Sequence, residues 1–351
     1  MPLTLLADAD EVQWEKKLET YFQHHKTPYL TRLRFYTYLY AAQNDAATCP
    51  TSVLNSVTAL LTQRFFADFV DFPAFDYDRH SERLAKDILC PYFARLSLED
   101  AGKKKFHYCS WSKTIPISVQ QVANWIPWIP LLPQPQPPLA QKDEQGWIQQ
   151  FEQLKQIRQS LTEQQKTLVE KWAGHHGKSY EWRLMALHYM QDCQVPLGKL
   201  LYVRSLLMKA LYDGQIAELC AKYTFCIPRP YMTHPSFKPL ITPLQTPSYP
   251  SGHAIAGAIF SGILSHFFPE ERTLWEGYMH EGSCTRLWAG VHYPEDIQQG
   301  ELLGQKIVTL TLENSEQHFD VHQEQAHVAF QTLQSETYDL LAPLHAHHAL
   351  Q

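Results

Sequence analysis

Apolar residues recur at three-to-four spacing, with charged faces between them, over most of this 351-residue chain. That period predicts helices over 11–24, 53–69, 81–97, 146–173, 181–193 and 196–224. Two more follow at 251–268 and 295–312, and another at about 319–336, ahead of a tail bearing His345, His347 and His348. In the 295–312 helix, Pro294 and Glu295 stand where a helix start favours them, and Gly300 and Gly304 lie one turn apart for close packing. Strand-like alternation is sparse, so the expected class is all-α.

The stretch PWIPLLPQPQPPLAQ (127–141) breaks the pattern, because its prolines lock an extended path and exclude helix. It reads either as a connector or as an ordered loop inside one helical domain. As a connector it divides the chain into an N-terminal helical region, 1–140, of unknown role, and a catalytic region, 141–351. The longest near-apolar run, 254–268, is short for a bilayer crossing and suits a buried core helix. The N-terminus carries no readable signal peptide. A soluble, cytoplasmic protein is expected, its oligomeric state open.

Composition narrows this further. With 44% hydrophobic residues the chain can bury a sizeable core. A net charge of −6 argues against a nucleic-acid partner, since no broad cationic face is available. The seven cysteines (Cys49, Cys90, Cys109, Cys193, Cys220, Cys226, Cys284) are scattered, odd in number and without a Cys-x-x-Cys pair. They read as reduced core thiols. Zinc-hydrolase, dinucleotide and nucleotide-loop motifs are absent.

Against that acidic background, KYTFCIPRP (222–230), YPSGHAIAG (249–257) and TRLWAGVHYPED (285–296) concentrate the chemistry. Lys222, Arg229 and Arg286 supply permanent cations, and guanidinium forks match the oxygens of a tetrahedral oxyanion. Ser251 and Gly252 open an apolar helix whose first N–H groups and dipole favour an anion, although Ser251 also suits a plain helix cap. His253 and His292 are the types needed to protonate a leaving group and to attack. Asp296, four residues past His292, can take its Nδ1 proton and leave Nε2 as the nucleophile.

The three segments resemble the tripartite signature of the type 2 phosphatidic acid phosphatase / vanadium haloperoxidase superfamily: Lys-x6-Arg-Pro, Pro-Ser-Gly-His and Ser-Arg-x5-His-x3-Asp. Thr285 replaces the usual serine. LTEQQKTLVEKWAG (161–174) and ALYDGQIAELCAKY (210–223) look like the haloperoxidase-like branch, so the resemblance spans roughly 160–312. It implies an α-helical bundle with the site in its core. Lys222, Arg229, Ser251, Gly252 and Arg286 would hold phosphate or vanadate, with His253 as general acid, His292 as nucleophile or vanadium ligand, and Asp296 as its orienting partner.

Two activities fit that motif. One is a phosphoric monoester hydrolase acting on a small phosphate ester through a phosphohistidine, without metal or cofactor. The other is a vanadium-dependent haloperoxidase, with vanadate as cofactor. Spacings of 24 residues from Arg229 to His253 and 33 from His253 to Arg286 look like compact acid phosphatases. Thr246 and Leu219 occupy slots that are aromatic in the family's chloroperoxidases. Both features favour the phosphatase. An inactive helical scaffold binding a partner protein is the third reading.

Overall fold

The computed structural model describes residues 9–67, 79–112, 114–141, 143–173 and 180–315. The expected helix at 319–336 and the histidine tail lie outside them. Among the described residues the regular structure is helical, without strands: α1 (Ala9–His24), α2 (Tyr29–Asp45), α3 (Thr51–Phe65), α4 (Arg79–Ala101), α5 (Ile117–Val122), α6 (Glu144–Gln159), α7 (Glu163–Trp172), α8 (Tyr180–Asp192), α9 (Leu197–Phe225), α10 (Pro230–Thr233), α11 (Gly252–Phe267), α12 (Arg272–Trp288) and α13 (Pro294–Glu313). None is long and apolar enough to cross a membrane.

Two compact units interleave along the chain. One takes residues 1–106, 116–130 and 183–216; the other takes 107–115, 131–182 and 217–351. They are therefore not the two halves expected on either side of residue 140. In the proline-rich stretch, residues 127–130 belong to the first unit and 131–141 to the second. The latter part is tied down: the Gln136 N–H donates to Gln299 Oε1, and the Leu139 N–H donates to both carboxylate oxygens of Glu295 at 3.0 and 3.1 Å. An extended proline path leaves its remaining N–H groups seeking such acceptors.

In the first unit, buried acids act as fasteners. Glu99 receives the Arg34 guanidinium at 2.9 Å, the Tyr212 hydroxyl at 2.6 Å and the Ile126 N–H at 3.1 Å. Asp213 receives the N–H groups of Trp128 and Ile129 at 2.8 and 2.9 Å, which closes the backbone after α5 onto α9. Burial raises its carboxyl to about 7. Such groups tolerate burial because each is met by donors.

The second unit is built around α11, whose residues are almost all buried and which packs against both α12 and α13. The approach to α13 is glycine-dependent, as Gly300 and Gly304 predicted. A Cβ at Gly304 would lie 2.7 Å from Ile255 O, and one at Gly300 would lie 2.7 Å from Ser251 O and 2.9 Å from Ala254 Cβ.

Three expectations need correction. The single helix at 146–173 is two, because Thr162 caps α7. Its hydroxyl accepts from Gln165 N at 3.2 Å, and the Gln165 side chain answers Thr162 N at 2.9 Å. Helices α2 and α12 have no counterpart among the expected helices: α2 is buried nearly all round, and the last turns of α12 are buried despite their small and charged residues. Finally, Cys109 and Cys226 are not reduced thiols; they form a disulfide 117 residues apart in sequence, with Cα atoms 5.4 Å apart. Of the others, Cys284 is buried and Cys90 exposed. Spacing could not reveal a pair that only the folded second unit brings together.

Adding a methyl at Gly300 should push α13 off the Ser251 turn and cost about 1–3 kcal/mol in urea unfolding. Gly277→Ala, where a Cβ meets nothing within 4 Å in mid-helix, should instead gain about 0.5–1 kcal/mol. Equal stability of the two variants would contradict this packing.

Candidate active site

Lys222 lies in the last turn of α9, and its ammonium is buried. It donates to three carbonyls, Pro247 O at 2.7 Å, Ser248 O at 2.8 Å and Pro250 O at 2.7 Å. The Glu218 carboxylate stands 3.8 Å away, one helical turn earlier. Lys222 thus gathers the backbone that leads into α11. That segment includes a cis Tyr249–Pro250 peptide bond.

After α9 the chain turns through Cys226, which adopts a left-handed φ of 53°. The turn is held by the disulfide to Cys109 and by the Trp111 indole N–H, which donates to Cys226 O at 2.8 Å. It delivers Arg229, N-cap of the short α10. Arg229 Nε donates to Thr246 O at 2.8 Å, Nη2 to Thr246 Oγ1 and Pro247 O at 3.2 Å each, and Nη1 to Val291 O at 2.7 Å.

Ser251 is the N-cap of α11. Its Oγ accepts from Ala254 N at 3.4 Å, and its own N–H donates to Asp296 O at 2.9 Å. The capping reading is therefore correct, and it leaves the hydroxyl proton as a donor. Gly252 is buried at the first helical position, where backbone N–H groups have no partner inside the helix. His253 is the partly exposed member of the set; its Nε2 lies 3.3 Å from Trp172 O.

Helix α12 carries Arg286 in its last turn, and Gly290, at φ +72°, reverses the chain into His292. A side chain at Gly290 would be strained and would strike Arg158, whose Nη1 donates to Lys238 O. Helix α13 then begins at Pro294, with Asp296 in its first turn. Asp296 Oδ2 accepts from three donors: Ser248 Oγ at 2.5 Å, Tyr293 N at 2.9 Å and His292 Nδ1 at 3.0 Å.

That bond sets the His292 tautomer. With the proton on Nδ1, Nε2 carries the lone pair, and the Arg229 Nη1 donor sits 3.2 Å from it. Burial, reinforced by the charges of Arg229, Lys222, His253 and Arg286, holds His292 well below the usual imidazole range, so the ring is neutral near pH 7. Burial also raises the Asp296 carboxyl. The Ser248 hydroxyl, the Tyr293 N–H and the charges of Lys222 and Arg229 oppose that rise. Every donor on Oδ2 serves the ionised form, which we take as the working state.

Arg286 differs from the other two cations. It is 1% exposed, its Nε reaches only the Thr285 hydroxyl at 3.3 Å, and its Nη2 is buried with no partner. Burial and the Arg229 charge push its guanidinium down to about 9, against an ordinary value above 12. A buried, unpaired donor on a cation costs several kcal/mol unless an anion meets it. All eight expected site residues thus belong to the second unit, and their mutual electrostatic influence is strong. Sequence reasoning missed Ser248, and it did not see that Thr246 braces Arg229. Hydroxyls beside a motif were the available signal, but which acid or cation they meet depends on the turn.

The PAP2 superfamily model matches residues 200–319. The bacitracin transport permease protein BcrC of Bacillus licheniformis is 33% identical over 76 residues, which is 22% of this chain and 37% of that protein. The chain thus spans less than two fifths of the curated relative it matches. Among solved structures, a bacterial vanadium-dependent iodoperoxidase superposes with a TM-score of 0.63 at 14% identity, covering 83% of this chain and 92% of the other. The apo and holo forms of a bacterial vanadium-dependent chloroperoxidase give 0.61 at 11% identity, covering 81% of this chain and 92% and 91% of theirs. At such identities the likeness shows the fold. Its coverage exceeds what residues 141–351 alone could supply, so the shared architecture takes in part of residues 1–140 as well.

Anion affinity should follow the Arg286 charge. Below about pH 9 the guanidinium is protonated and phosphate binding keeps its strength; above about 9 it should fall by about tenfold per pH unit. Calorimetric titration with inorganic phosphate from pH 8 to 10.5 measures this. An affinity flat across that range would show that Arg286 is not the titrating donor.

Proposed function

We propose that this chain, whose residues 200–319 match the PAP2 superfamily model, is a phosphoric monoester hydrolase using His292 as nucleophile. The observation that carries the reading is the buried Arg286 Nη2 without a partner, beside a neutral His292 whose Nε2 bears the lone pair. The donor set suits the three equatorial oxygens of a phosphoryl group: Arg286, the Ser251 hydroxyl and the N–H groups at the start of α11, with Lys222 and Arg229 adding positive charge from the walls.

In the first step His292 Nε2 attacks phosphorus, forming the N–P bond as the P–O bond to the alcohol breaks. His253 passes a ring proton to the departing oxygen. Asp296 stabilises the positive charge that develops on the His292 ring. In the second step water attacks the phosphohistidine and gives its proton to His253, and phosphate leaves with the N–P bonding electrons returned to Nε2. Preorganised donors of this kind contribute roughly 3–4 kcal/mol each.

A second reading draws on the structural likeness to the vanadium-dependent iodo- and chloroperoxidases. The same unpartnered donor fits vanadate, which shares phosphate's tetrahedral oxyanion form. Lys222, Arg229, Ser251, Gly252 and Arg286 would hold it, with His292 as its protein ligand. Bound vanadate would supply peroxide-dependent halide oxidation. Thr246, where the family's chloroperoxidases resemble each other in an aromatic, is occupied here in bracing Arg229, which favours the hydrolase.

Wild-type protein should hydrolyse p-nitrophenyl phosphate without added metal and be inhibited competitively by orthovanadate. Arg286→Ala should lose roughly 100- to 1,000-fold in kcat/KM while keeping its helical circular dichroism. His292→Ala should fall to background. Peroxide- and vanadate-dependent bromination of phenol red, with no ester hydrolysis, would install the second reading instead.

The pH profile supplies a separate test. His292 must be unprotonated to attack, and its pKa is depressed, so the acid limb of kcat/KM should lie well below pH 6.5. A limb centred at or above 6.5 would place the nucleophile elsewhere.

A further inference from the structure

Outside the residues just assigned, the buried acid Glu281 is linked by hydrogen bonds to the proposed general acid. Glu281 lies on α12, 3% exposed, and the proposed reaction gives it no part. Its Oε1 accepts the Trp172 indole N–H at 2.7 Å and the Lys171 ammonium at 3.1 Å. Trp172 is the last residue of α7, and its carbonyl is the acceptor 3.3 Å from His253 Nε2.

The carbonyls of a helix's final turn have no partner within that helix. One of them thus takes the ring proton of His253 and orients the imidazole. Trp172 can hold its carbonyl there only if its own side chain is anchored. The ring is 5.3 Å from Trp182, which stacks on Phe260 of α11, and Glu281 fixes the indole edge. The chain of contacts runs from α12 through the end of α7 to the first turn of α11.

We propose that Glu281 is a positioning residue for the general acid: through Trp172 it sets the orientation of His253 and thereby proton delivery to the leaving group. This rests on the hydrolase reading above. The Lys171 ammonium, 45% exposed, partly offsets the buried charge. The hydrogen bond to the indole, rather than the charge itself, is what positions Trp172.

The test is leaving-group dependence, because an ester with a good leaving group needs no proton. Purified full-length wild type, Glu281→Ala, Glu281→Gln and Trp172→Phe are compared by kcat/KM, which reports the first P–O cleavage. The two substrates are phenyl phosphate, a poor leaving group, and 2,4-dinitrophenyl phosphate, a good one. Glu281→Ala and Trp172→Phe should lose about tenfold on phenyl phosphate and stay within about twofold on the dinitrophenyl ester, a fraction of the full contribution of a general acid. Glu281→Gln, which keeps an acceptor for the indole, should restore most of the loss.

Equal losses on both esters would mark Glu281 as a structural anchor only and overturn the proposal. Full activity of both Glu281→Ala and Trp172→Phe on phenyl phosphate would overturn it as well. If Glu281→Ala fails to fold, Trp172→Phe, which keeps an aromatic ring but lacks the indole N–H, decides on the same criterion. Wild type inactive on both esters would sink the hydrolase reading and this inference with it, an outcome distinct from selective failure of the variants.

Discussion

Burying positive charge in a helical interior is the constraint around which this second unit is arranged. Lys222, Arg229 and Arg286 are all withdrawn from water, yet the acids near them, Glu218 and Asp296, do not meet all three. Two of the cations spend their donors on backbone. Lys222 takes three carbonyls, and Arg229 takes Thr246 O, Pro247 O and Val291 O. They build the walls of the site. Arg286 keeps a donor uncommitted, so demand for an oxyanion is focused on one guanidinium whose position is fixed by α12. Preorganisation in this sense means that the cost of desolvating the charge is met on folding, and an anion bound there would recover it.

The imidazole pair depends on the same arrangement from the opposite side. Cations that attract an oxyanion also disfavour a proton on His292, which keeps its lone pair available. The Asp296 carboxylate would ordinarily counter this by favouring the protonated ring. Its Oδ2, shared among Ser248, Tyr293 and His292, orients the ring while its charge is divided among three donors. His253 stands apart at the edge, partly exposed, with its Nε2 3.3 Å from the Trp172 carbonyl. The difference between the two histidines lies in their surroundings, not their residue type.

The residues gathered in the candidate site were legible in the primary structure because they sit in short, rigid contexts: a helix end, a capped helix start and a glycine turn. Asp296 four residues from His292 predicts the 3.0 Å contact, since both lie where α13 begins. The supporting cast was less legible. Ser248 and Thr246 meet their partners across 48 and 17 residues, and a hydroxyl has no periodicity to betray it. Helix α12 escaped notice because its last turns, with Arg286 and its small neighbours, are buried without being apolar. Helix α2 escaped for the complementary reason: it is buried nearly all round and shows no polar stripe. Hydrophobic patterning reports a boundary between core and water. Where an element has no such boundary, or turns its charges inward, the pattern falls silent.

The Cys109–Cys226 link has a consequence for the unfolded chain. It leashes the segment before α5 to the turn carrying Lys222 and Arg229, closing a span of 117 residues. In the chain-entropy account, a loop of that length restricts the denatured ensemble by about 5 kcal/mol. An oxidised chain therefore begins its search with the cationic turn already near its tether, whereas a thiol-rich medium returns that freedom. The durability of that cationic turn is in this way set partly by the redox character of its surroundings.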